Sequence, residues 1–155
     1  MVAGKGESLL QRYSLPVDEI EGESFRIIRK LLAPLAVPDR ELRVIVRIVH
    51  ACGDPEVASH VLFHPLAVDA AVGALRRGAP VFTDVRMVAA GIKSGLASSF
   101  GCIVRCALDL AASDGKALAG HTRTASAMES LGRRLDGSIV VIGNAPTALL
   151  AVLDM

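Results

Sequence analysis

Arg43, Arg47 and His50 are the residues of this sequence best placed to do chemistry together, spaced i, i+4 and i+7. On a helix that spacing aligns all three in one stripe. Guanidinium groups grip carboxylates through planar, two-point contacts, and an imidazole moves protons near neutral pH. The stripe therefore has the makings of a site that holds an acid-rich ligand and exchanges a proton with it. Its ordinary alternative is a solvated helix face, and a histidine close to a helix end also suits the negative end of the dipole. Spacing alone names no reaction.

The element that carries the stripe is an apolar helix. Leu42, Ile45, Val46 and Val49 recur at helical spacing, with Val44 and Ile48 widening the apolar arc. Pro38 and Asp39 suit its start and Gly53 its end. Cys52, at its close, is expected to pack as a small hydrophobe. Before it, Val17 to Leu35 reads as a helix with Phe25, Ile28, Leu31 and Leu32 on one side. Ser24 on that helix is either an ordinary surface serine or a hydrogen-bond donor. Residues 1–16 show no strong period and are expected to form a loose arm.

Downstream, strands alternate with helices. Val57 to Phe63 is a candidate short strand, and His60 and His64 beside it lack a third ligand at metal-site spacing. Pro65 to Arg77 reads as a helix with Leu66, Val68, Val72 and Leu75 inside. Ala79 to Asp84 is a buried-type strand, followed by a short helix from Arg86 to Gly91. Thr83 and Asp84 end that strand, where open α/β sheets place ligands. Asp84 serves equally well as a cap for the next helix. Lys93 to Gly101 reads as a loop, and Cys102 to Leu108 as a second strand whose cysteines pack in the core.

Thr122 to Leu135 reads as a helix with Ala125, Met128, Leu131 and Leu135 inward. Arg123 falls in its first turn, beside the positive dipole end, and so calls for an anionic partner. That partner is an acidic side chain such as Glu129, or a ligand carboxylate. Ser138 to Gly143 is the clearest strand, and Asn144-Ala-Pro-Thr147 leads into a helix from Ala148 to Met155. A strand, turn and helix can cradle an anion, but neither a dinucleotide fingerprint nor a Walker lysine is present. Asn144 and Thr147 are expected to line a pocket for another kind of anionic ligand.

The fold class expected is α/β: one domain over residues 17–155 with a largely parallel sheet flanked by helices. The 155 residues suffice for one core. With 52% hydrophobic residues and a net charge of +1, the chain is neither disordered nor suited to nucleic acid. Aromatic residues at 3% provide no platform for stacking bases. No apolar run reaches a membrane span. Cys52, Cys102 and Cys106 have no metal-site spacing, and a cytoplasmic chain with free thiols is expected.

Four stretches carry a resemblance. Arg47-Ile-Val-His-Ala-Cys-Gly53 looks like the histidine motif of precorrin-8X methylmutase, the precorrin isomerase family of cobalamin biosynthesis. Glu23-Ser-Phe-Arg-Ile-Ile-Arg29, Gly78-Ala-Pro-Val-Phe-Thr-Asp-Val-Arg-Met-Val88 and Ile142-Gly-Asn-Ala-Pro-Thr-Ala-Leu149 resemble the same family, in its order and at about its spacing. The likeness runs from about Gly22 to the last residue. It implies an isomerase that moves a methyl group between neighbouring carbons of ring C of a tetrapyrrole. His50 would be its proton donor and acceptor. Arg47 and Arg123 would anchor substrate carboxylates, and Ser24 would add a neutral hydrogen bond; Thr83, Asp84, Asn144 and Thr147 join them from their places at the strand ends. The resemblance implies no cofactor and no metal ligands, a precorrin or cobalt-precorrin substrate, and a homodimer. Family members continue past the last motif, whereas this sequence ends in the helix after it, so a C-terminally shortened fold is expected. A sheet short of its last strands exposes an edge that another chain can cover. A non-catalytic tetrapyrrole carrier or partner subunit is the alternative to the enzyme.

Overall fold

The computed structural model describes residues 16–92, 94–111 and 120–155. Apart from Pro16, the expected N-terminal arm lies outside these residues. The described residues fall into two compact units that divide between Pro65 and Leu66.

The first unit is built on two helices, α1 (Val17–Leu31) and α2 (Asp39–Cys52), which pack against each other. The signals that bound α2 are local. Pro38 precedes it, Asp39 and Glu41 put acid in its first turn, and Gly53 closes it at φ 70°, donating to the Val49 carbonyl at 2.8 Å. Ile45, Val46 and Val49 are buried with Ile28, Leu32 and Ala58, and Phe25, Leu42 and Phe63 pack around them. Burying each Ile, Leu or Val of this cluster contributes about 1.5–3 kcal/mol. The apolar arc of α2 is narrower than its sequence implies, because Val44 lies exposed. Cys52 is exposed too, so it does not pack as expected.

Helix α1 stops at Leu31, short of the expected Leu35. Pro34 lacks an amide proton and disfavours helical geometry at the residue before it. Leu31 is 57% exposed, so Ile28 and Leu32 make the inward contact without it. The strand expected over Val57–Phe63 is instead a 3-10 helix, Pro55–His60. Asp54 accepts the Glu56 amide at 2.9 Å and Pro55 presets the first turn, and this capping outweighs the apolar pattern. Leu62, in the same run, is 92% exposed.

The second unit contains a parallel sheet of β1 (Val81–Thr83), β2 (Val104–Cys106) and β3 (Ile139–Val141), in the order β2-β1-β3. Val81 aligns with Val104 on one side and Ile139 on the other. Central β1 is buried throughout. Its alternation divides the core. Phe82 joins Ala107, Ala127, Met128, Leu131 and Ala148 on one face, and Val81 joins Ala97 and Cys102 on the other. The edges follow the same period, with Val140 on the Phe82 face and Ile139 and Val141 opposite.

The helices of this unit are α3 (Ala67–Arg76), α4 (Arg86–Gly91), α5 (Ser94–Ser99), α6 (Ala107–Leu110), α7 (Arg123–Glu129) and α8 (Pro146–Leu153). In α3 Ala74 is buried and Leu75 packs against the Val81 cluster as expected, while Val72 and Leu66, just before the helix, are exposed, contrary to expectation. The expected loop at 93–101 contains α5, because burying Ala97 against Val81 and Cys102 overrides the weak local propensity of Gly and Ser. Cys102 and Cys106 are free and buried, as expected for core packing. The helix expected from Thr122 to Leu135 breaks after Glu129. Gly132, at φ 49°, turns the chain into a 3-10 segment, Gly132–Leu135. Helix α8 begins earlier than expected, with Pro146 in its first turn.

Candidate functional site

In the first unit, α1 and α2 bring their polar residues together. His50 sits exposed in the last turn of α2, and Ser24 comes from α1. The Ser24 hydroxyl lies 2.7 Å from His50 Nδ1. Phe25 meets the imidazole edge-on, with ring centroids 5.2 Å apart and an interplanar angle of 80°. The Arg47 guanidinium lies over Phe25, 5.0 Å from the ring centroid, and its Nη1 is 3.4 Å from Glu21 Oε1. Cation and ring attract each other through the ring quadrupole. The imidazole is thus held at one nitrogen and along one edge, and its Nε2 has no hydrogen-bond partner among the described residues.

The arginines of the stripe separate into two kinds. Arg43 is tied to Asp39 at 2.9 Å, and Arg29 reaches the same carboxylate at 3.6 Å. The Arg43 hydrogen bond and charge hold the Asp39 carboxyl below its usual range. Arg43 is therefore spent on its own helix. Arg47 makes the longer contact to Glu21 and lies over Phe25, and it remains exposed. Glu23 pairs with Arg26, whose hydrogen bond lowers the carboxyl from its ordinary value.

In the second unit, Thr122 caps α7 by accepting the Ala125 amide at 3.3 Å. Its hydroxyl also lies 2.7 Å from the Thr147 hydroxyl on α8. Arg123 is exposed in the first turn of α7 and forms no ion pair among the described residues. Glu129, the acidic partner considered for it, pairs with His121 at 2.8 Å. His121, Thr122, Glu129 and Thr147 line a shallow cleft with Leu150 and Asp154.

Thr83 and Asp84 end β1 and are 0% exposed. Thr83 donates to the Val85 carbonyl at 3.1 Å. The Asp84 carboxylate accepts the amides of Val85 at 2.8 Å, Gly143 at 3.1 Å and Ala145 at 3.3 Å. It does not cap α4, where Val85 holds the cap position without a side-chain bond. Two amides of the turn that resembled an anion cradle are thus taken by an anion from the chain itself. Asp84 fixes the β3–α8 turn on which Asn144 stands exposed.

The same turn needs a glycine. A Cβ at Gly143 would overlap the Val88 side chain. Gly143→Ala is expected to cost about 1–3 kcal/mol, the usual penalty for overpacking. Denaturant unfolding measures it, and an unchanged midpoint would mean that Val88 moves aside freely.

Sequence spacing did not reveal that Ser24 and Phe25 both touch His50. Glu21, Ser24, Phe25 and Ile28 do lie on one helical face, which was the available signal. Among the described residues no three His, Cys, Asp or Glu side chains converge as a metal site. No described helix is long and apolar enough to cross a membrane.

The sequence matches the model of the precorrin-8X methylmutase family over residues 19–155. It is 38% identical to a precorrin-8X methylmutase from Sinorhizobium sp. over 85% of this chain and 63% of that protein. It is 40% identical to one from Pseudomonas aeruginosa, over 86% of this chain and 64% of that protein. The chain therefore spans less than two thirds of the length of these relatives. The crystal structure of precorrin-8X methylmutase from Thermus thermophilus superposes with a TM-score of 0.77 at 35% identity, covering 88% of this chain and 67% of that one. With its parallel sheet, its histidine helix and a family match covering most of its length, the chain belongs to the precorrin-8X methylmutase family.

Proposed function

We propose that this chain is an isomerase that moves a methyl group within ring C of a precorrin-8X-type tetrapyrrole, giving a hydrogenobyrinate- or cobyrinate-type product. The observation that carries this reading is His50, exposed in the family's histidine motif and held by Ser24 at the nitrogen that faces the protein. Protonated His50 donates to the conjugated macrocycle from Nε2. The macrocycle becomes electron-poor, and the barrier to a sigmatropic shift falls. One carbon–carbon bond to the methyl group breaks and one forms on the neighbouring carbon. The proton then returns to His50, so the reaction is neutral overall and draws on no oxidant or reductant. General acid–base catalysis of this kind contributes about 10²–10⁴-fold.

Relatives bear the names precorrin-8X methylmutase and cobalt-precorrin-8 methylmutase, so metal-free and cobalt-containing substrates both belong in the test. Incubating the purified chain with each and following the absorbance spectrum tests the proposal. Conversion of one of them supports it, and unchanged spectra with both substrates refute it.

Arg47 and Arg123 are the carboxylate anchors in this reading, supported by the exposure of both guanidinium groups. Lysine keeps the charge but cannot make the planar two-point contact. Arg47→Lys and Arg123→Lys are each expected to weaken tetrapyrrole binding by roughly 5–30-fold, the equivalent of about 1–2 kcal/mol. Absorbance titration measures this, and unchanged affinity in both variants would remove the assignment. Asn144 and Thr147 complete the proposed binding groups, Ser24 is engaged with His50, and Thr83 and Asp84 act from within by fixing the turn that carries Asn144.

The proposed assembly is a homodimer. Leu150 and Leu153 of α8 are exposed, and apolar area of this kind is what a partner chain covers. The proposed location is the cytoplasm, in keeping with three free cysteines.

A further inference from the structure

The geometry points to Ser24 as the positioning residue of His50, which engages the imidazole at Nδ1 and leaves Nε2 to the ligand. This deepens the isomerase reading and rests on it. The Ser24 hydroxyl lies 2.7 Å from Nδ1 and has no second hydrogen-bond partner among the described residues, so its bonding capacity is directed at the ring. A hydroxyl both donates and accepts. It accepts from Nδ1–H when the ring is charged. When the ring is neutral, the hydroxyl goes on accepting from Nδ1–H or turns to donate to a bare Nδ1, so the contact persists in either case. A partner that only accepted or only donated would favour one charge state. A residue that must release a proton and take it back is served by a partner indifferent to its charge.

A hydrogen bond alone would let the ring pivot about the Nδ1–Oγ line. Phe25 opposes that by packing edge-on at 5.2 Å, and Phe25 is itself covered by Arg47, which Glu21 holds at 3.4 Å. Glu21, Arg47, Phe25, His50 and Ser24 form one continuous brace made by two helices of the first unit. Which nitrogen of a histidine carries the proton is set by what the other one bonds. In this brace the engaged nitrogen is Nδ1, and Nε2 is the one that exchanges.

The test uses the ¹⁵N-labelled chain and long-range proton–nitrogen correlation spectra at a pH where the imidazoles are neutral. His60, exposed on its 3-10 helix, is the internal standard. In the wild-type chain the Nδ1 resonance of His50 is expected to be displaced from that of His60 by its hydrogen bond to Ser24. In Ser24→Ala its pattern should fall to that of His60, and Ser24→Thr should restore it. A His50 pattern that already matches His60, or one unmoved by Ser24→Ala, overturns the proposal.

Turnover supplies a second arm. Ser24→Ala is expected to lower kcat by roughly tenfold with KM near the wild-type value, because the loss falls on proton transfer. A raised KM with unchanged kcat would make Ser24 a substrate-binding hydroxyl and overturn the positioning role. If the wild-type chain shows no turnover, the isomerase reading fails by itself, and the spectra still decide what Ser24 does to His50.

Discussion

His50→Ala is expected to lower methyl migration by about 10²–10⁴-fold, the range for losing a general acid–base group, while leaving tetrapyrrole binding largely intact. The split follows from where the side chain stands. His50 is exposed at the end of α2, and the core of that unit is made by Ile28, Leu32, Ile45, Val46 and Val49. Truncating an exposed side chain away from the core changes stability by no more than about 0.5 kcal/mol. The Ser24 hydroxyl, released from Nδ1, is only part-buried and can bond water. The proposed carboxylate anchors, Arg47 and Arg123, are not touched by the substitution. Circular dichroism should match the wild type, absorbance titration should give nearly the same affinity, and turnover should be lost. Wild-type turnover would take His50 out of the mechanism. A collapse of the fold would make it a structural residue.

Asp84→Ala is expected to be the most damaging single change to the second unit, costing about 3–5 kcal/mol. The carboxylate is 0% exposed and receives three backbone amides, from Val85, Gly143 and Ala145. Hydrogen bonds to a charged group contribute about 1.5–3 kcal/mol each, and stranding buried donors costs about 1–3 kcal/mol apiece. The estimate is kept below their sum because the turn at Gly143 and Asn144 is exposed and water can reach part of it. Asp84→Asn keeps the shape and one acceptor oxygen, and it should fall between alanine and wild type. Urea unfolding measures both. If Asp84→Ala unfolds at the wild-type midpoint, the turn does not depend on this carboxylate.

What the sequence disclosed follows the range over which each signal acts. Helix α2 was legible end to end because Pro38, Asp39 and Gly53 act on their immediate neighbours. The three strands were legible as apolar runs between turn residues, although each is shorter than its run. The order β2-β1-β3 is not written in any run, since it depends on which strands pair across the crossovers. Where local patterns failed, a competing force can be named. Asp54 and Pro55 capped a 3-10 turn where apolar alternation suggested a strand, and the burial of Ala97 gave helix to a Gly/Ser-rich stretch.

The site followed the same rule. His50 and Arg47 stood out because one helix aligns them, and the family motif gave them roles. The bond from Ser24 to His50 joins residues 26 positions apart, and only the docking of α1 on α2 creates it. Asp84 shows the limit most clearly. At the end of a strand it had the position of a ligand contact or a helix cap. Two of its three amide partners lie 59 and 61 residues further on in the chain, and no spacing rule reaches that far.

The most direct test of the central claim is the absorbance spectrum of a precorrin-8X-type tetrapyrrole mixed with this 155-residue chain, followed in time beside His50→Ala. The account predicts conversion to the hydrogenobyrinate- or cobyrinate-type spectrum by the wild-type chain, and a bound but unconverted tetrapyrrole with the variant. A wild-type chain that binds the tetrapyrrole and leaves its spectrum in the substrate form would contradict it.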